Sequence, residues 1–127
     1  TEEKRRVRIY QRHATHTQEN KNEFDARVKA LRQDYPAAEV ETWPIQRAEA
    51  EAYTADNTAS TPLLSAIATE RGMLVATLAA NIMERVAEYN AAYAALFAKY
   101  KANKAVLESI DLQDNTTWDN INNWILW

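Results

Sequence analysis

The sequence predicts an all-α protein: an elongated helical bundle with two long helices, two short helices and a short C-terminal helix. Three observations carry that prediction. One glycine, Gly72, in 127 residues leaves a near-unbroken helical pattern. Residues 1–34 and 73–110 each run without Gly or Pro and place apolar residues three and four apart. Alanine occurs 23 times against two phenylalanines. Alanine has the highest helix propensity and little area to bury, which favours thin, closely packed helix faces over a thick interior.

In the first stretch, Val7, Tyr10, Ala14, Thr17, Lys21, Phe24, Val28, Leu31 and Tyr35 make a heptad-like seam, polar at Thr17 and Lys21. A helix of about 30 residues extends about 45 Å at ~1.5 Å per residue and is expected to project or to pair. Pro36 disfavours the α conformation at Tyr35, which predicts a stop near Asp34. Residues 37–43 read as a connector, and Pro44 then supplies the first turn of a short helix over 45–53. After the polar break at 56–60, Ser60 or Thr61 is placed to cap a third helix with Pro62 in its first turn. Leu63, Leu64, Ile67 and Ala68 form its apolar face, and Gly72 is its left-handed stop.

The fourth helix is expected over residues 73–110. Its stripe runs through Leu74, Leu78, Ile82, Val86, Tyr89, Tyr93, Leu96, Tyr100, Asn103, Leu107 and Ile110, with alanines beside it that admit close neighbours. Residues 111–115 break the pattern. Thr116 followed by Asp119 resembles a capping box and opens the short terminal helix. The 127 residues are thus expected to form one helical domain: a basic N-terminal helix (1–35), a helical region (43–110) and an aromatic C-terminal segment (111–127).

Composition removes several kinds of chemistry. Without cysteine there are neither disulfides nor thiolate metal sites, and without a glycine-rich loop there is no phosphate cradle. No apolar run approaches 18 residues, so no membrane partner is expected. His13, His16 and Glu19 share a helical face, but no second ligand cluster supports a metal, and an inter-helix or solvated histidine pair explains them. Glu49, Glu51, Glu84 and Glu88 have the spacing of solvated helix faces. No catalytic residue, metal or cofactor is therefore expected.

Two features suit contact. Lys4, Arg5, Arg6, Arg8 and Arg12 form a basic patch, which keeps a nucleic-acid module as a third reading, although a single turn and a half of charge favours an exposed helix end lying against an acidic neighbour. Net charge is +3 over residues 1–35 and −6 over the remainder, which suits head-to-tail or antiparallel packing. Trp118, Ile121, Trp124, Ile125, Leu126 and Trp127 crowd the end of the sequence and are the expected partner-binding residues.

A resemblance adds context. Trp43-Pro44-Ile45-Gln46-Arg47-Ala48-Glu49-Ala50, Tyr53-Thr54-Ala55-Asp56, Thr61-Pro62-Leu63-Leu64 and Ile67-Ala68-Thr69-Glu70-Arg71-Gly72 resemble a helical segment of small tail proteins of tailed bacteriophages. The likeness covers about residues 43–110. Lys101-Ala102-Asn103-Lys104 stands where that pattern has a Gly-Lys-Arg-Gln-like step. The resemblance implies a non-enzymatic virion protein, a tail or baseplate accessory that joins other tail proteins, in several copies or as a homo-oligomer, assembled in the bacterial host cytoplasm. A tail or tail-fibre assembly chaperone is the alternative.

Overall fold

The computed structural model describes residues 1–114, Ile121 and Trp127. Among them the chain is all-helical, with α1 (Glu2–Ala30), α2 (Ala37–Ala55), α3 (Pro62–Arg71) and α4 (Val75–Ser109). It divides into two compact units. Thr1–Ala30 and Ala94–Trp127 form the first, and Leu31–Tyr93 forms the second, so α4 contributes to both.

The first unit pairs α1 with the C-terminal part of α4. Thr1 opens α1 by accepting the Lys4 amide on its hydroxyl at 3.2 Å and the Arg5 amide on its carbonyl at 3.1 Å. The buried line of α1 is Ile9, His16 and Asn20, with His13 and Phe24 half-buried between and beyond them. This corrects the expected seam: Val7 is 50% and Tyr10 44% exposed, and Ala14, Thr17 and Lys21 also face solvent. The helix is rotated because its inward polar residues find partners. Asn20 Nδ2 donates to the Tyr100 carbonyl at 3.1 Å, and Asn103 Nδ2 donates to Asn20 Oδ1 at 3.1 Å. His13 Nε2 donates to the Leu107 carbonyl at 2.9 Å in the last turn of α4, an acceptor whose backbone partner is only the Ile110 amide at 3.4 Å. Phe24 stacks on Tyr100 with centroids 4.8 Å apart and meets Phe97 edge-on at 6.2 Å.

The second unit follows the end of α1, which stops four residues before the expected stop near Asp34. The chain leaves α1 at Ala30, and residues 31–34 turn, with the Tyr35 amide donating to the Arg32 carbonyl at 3.2 Å. That turn carries Tyr35 edge-on to Trp43, centroids 5.0 Å apart. Residues 37–43 are not a connector. Pro36, at φ −58° and ψ 143°, occupies the N-cap of α2, and its carbonyl accepts the Glu39 and Val40 amides at 3.0 and 3.1 Å. Pro44 therefore lies inside a helix of 19 residues instead of starting one. An interior proline removes one helical amide and costs about 3 kcal/mol in isolation. Thr42 and Gln46 span the gap: the Thr42 hydroxyl donates to the Glu39 carbonyl, and Gln46 Nε2 donates to Thr42 Oγ1, each at 2.8 Å.

Asp56 closes α2 and turns the chain. Its carboxylate accepts the hydroxyl and the amide of Thr58, and those hydrogen bonds hold its pKa below the ordinary aspartate value. Thr61 then stands at the N-cap of α3 with Pro62 behind it, but its side chain makes no cap bond. The cap comes from α2. Glu49 Oε1 accepts the Leu63 amide at 2.8 Å, and the residue is only 9% exposed, which overturns its reading as a solvated face residue. A carboxylate at the N-terminal end of α3 also faces the favourable end of the helix dipole. Glu49→Ala should cost about 1–2 kcal/mol in urea unfolding, because it orphans that amide. Glu49→Gln keeps an acceptor and should cost less; equal losses would show that the cap is not the cause.

Gly72 ends α3 at φ 64° and ψ 39°, and the Met73 amide returns to the Ala68 carbonyl at 2.9 Å. No atom lies within 4 Å of the position a Cβ would take, so backbone strain alone opposes a side chain. Gly72→Ala should therefore lower stability by about 1 kcal/mol, and an unchanged melting curve would contradict the left-handed stop. Beyond it α4 bends away from α3 by 109°. Ala50 of α2, Leu64 and Ala68 of α3, and Leu78, Ala79 and Ile82 of α4 make the core of this unit, flanked by Tyr53, Ile67, Met73 and Val86. Leu74, expected in the stripe, is 73% exposed because it precedes the first residue of the helix.

Candidate contact surfaces

The aromatic C-terminal segment was the principal expected contact. Of its residues, Trp118, Trp124, Ile125 and Leu126 lie outside the described residues, as does the expected terminal helix apart from Ile121. The other two are engaged within the first unit. Ile121 is fully buried, and its carbonyl accepts from His16 Nε2 at 2.6 Å. Trp127 is half-buried; its indole N–H donates to Asn20 Oδ1 at 3.0 Å, and the Arg27 guanidinium carbon lies 5.1 Å from the ring centroid. Asn20 thus receives two donors on one oxygen, one from α4 and one from Trp127. His16 Nδ1 also lies 3.2 Å from Glu19 Oε2, so both histidines weighed as metal ligands are held in contacts inside this unit.

The basic run is not one uniform patch. Lys4, Arg5 and Arg8 are exposed and border a shallow surface depression with Thr1 and Glu2. Arg6 bonds the Gln113 side chain, which itself donates to the Tyr10 hydroxyl. Arg12 is half-buried, and its Nε is buried with no partner among the described residues.

The second unit holds a cleft of about 670 Å³ that sequence patterns did not reveal. Tyr35, Val40 and Trp43 contribute from the turn and from α2, and Ile82, Val86 and Tyr89 contribute from α4. No family model, curated protein or solved structure matches the chain. Among the described residues, no single helix is long and apolar enough to cross a membrane.

The missed features share a cause. The spacing of Glu49 reads as a solvated face and the expected α1 seam passes Asn20 by, although each is buried with a specific partner. The signal that was present is positional: Ile9, His13, His16, Asn20 and Phe24 keep helical spacing, and Asn103 falls in the α4 stripe opposite.

Proposed function

We propose that this protein is a structural component of a bacteriophage virion, a tail or baseplate accessory that joins neighbouring tail proteins without catalysing a reaction. One observation carries the reading. Four residues of the motifs that resemble the tail-protein segment have structural tasks within one compact unit: Glu49 caps α3, Leu64 and Ala68 fill the core, and Gly72 stops the helix. A motif whose members build a helix-loop-helix fits a scaffold that presents surface to partners.

An exposed apolar pair at helical spacing supplies such surface: Val7 and Tyr10 lie three apart on α1. The proposal includes several copies per particle, assembled in the host cytoplasm. Gradient-purified particles of the phage that encodes this chain test it by quantitative immunoblotting. Fixed stoichiometry in finished particles is the expected result. Presence during assembly but not in the particle would make the protein a chaperone instead, and intact, infectious particles formed without the gene would overturn both readings.

A further inference from the structure

We propose that the cleft of the second unit is a binding site for a small amphipathic anion: an apolar, ring-bearing or branched body with one carboxylate, sulfonate or phosphate head. This holds whether or not the chain is built into a virion. The cleft's volume of about 670 Å³ falls in the range of small-molecule sites, about 300–1,000 Å³. Its lining combines an apolar floor with a rim of charged and amide side chains. Ile82 is buried at the edge of the core, while Val86, Tyr89 and Trp43 are only half covered. The stripe of α4 that α2 and α3 cover as far as Ile82 therefore continues into the cleft without full cover.

The polar groups decide the charge of the occupant. Three guanidiniums line the cleft, those of Arg32, Arg47 and Arg85. Arg47 is taken, its Nε lying 2.8 Å from Glu51 Oε1. Arg32 and Arg85 have no carboxylate within ion-pair distance among the described residues, and the Trp43 indole N–H has no described acceptor. Glu88 is the one unpaired carboxylate of the lining. The surplus is of donors and positive charge beside aromatic faces. An anionic head satisfies it, with guanidinium forks and the indole N–H as its donors, while the body covers Tyr35, Trp43 and Tyr89. A cation would meet two arginines without a carboxylate partner, whereas an uncharged body would leave these exposed guanidiniums to water and gain nothing from them.

Two fluorescent probes of similar shape test the assignment: 1-anilinonaphthalene-8-sulfonate, which carries the anion, and N-phenyl-1-naphthylamine, which lacks it. The intact protein should bind the sulfonate in saturable fashion, and added salt should weaken that binding. In Arg32→Glu/Arg85→Glu the sulfonate should lose about tenfold or more in affinity while the uncharged probe changes little. Trp43→Ala should weaken both. Arg5→Glu/Arg8→Glu, which reverses the same charge at the basic N-terminal turns, should leave the sulfonate unchanged. Circular dichroism and melting establish that each variant is folded, and Arg32→Gln/Arg85→Gln replaces the reversal if it is not. Equal loss of the two probes in the arginine variant would overturn the proposal and leave the cleft a plain apolar contact face. Equal loss of the sulfonate in the α1 variant, or no saturable binding at all, would overturn it too.

Discussion

Leu64→Ala should destabilise the protein by about 3–4 kcal/mol, the largest effect expected of any single core substitution here. Leu64 is fully buried between α2 and α4, and its core neighbours include Ala50, Ala68 and Ala79. Alanines have no side-chain rotamers with which to fill a void, so the cavity would persist and the cost would sit in the upper part of the range for buried leucines. Urea unfolding followed by far-ultraviolet circular dichroism measures it, with Leu74→Ala as the control. Leu74 is mostly exposed, and its truncation should cost no more than about 0.5 kcal/mol. If the two substitutions cost the same, α3 is not packed as the core of the second unit requires.

Asn20→Leu should cost about 3 kcal/mol although it replaces a polar residue by an apolar one of similar size at a buried site. Asn103 and Trp127 would lose the oxygen to which both donate, and the Asn20 donor to the Tyr100 carbonyl would vanish. Combination with Trp127→Phe separates the strands of this argument. If the indole N–H bonds Asn20, Trp127→Phe should be less costly in the Asn20→Leu background by about 1 kcal/mol. Additive losses would mean that the two side chains do not share a bond, and that the last residue described is held by other contacts.

The same pair of sites shows how far sequence patterns reach. Apolar periodicity located the long helices to within a few residues and named Leu78, Ile82 and Leu107 as buried. It misplaced the inward face of α1, because heptad reasoning scores a residue by its hydrophobicity, whereas burial of His16 and Asn20 depends on acceptors at Ile121 and Tyr100 and a donor at Asn103 that are 80 or more residues away in sequence. The cleft was illegible for a related reason: Arg32, Trp43 and Arg85 meet only after α2 has been laid against α4.

What the sequence determined by itself is therefore local: the all-α class, the left-handed stop at Gly72, and most of the apolar stripe of α4. Each follows from backbone stereochemistry or from a periodicity contained within one helix. The tertiary structure decided the rest. It let Pro44 remain inside α2, drew Glu49 from α2 to cap α3, and turned α1 so that polar side chains point inward. These outcomes depend on whether a distant group supplies the missing donor or acceptor, since a buried polar group is costly alone and stable when paired.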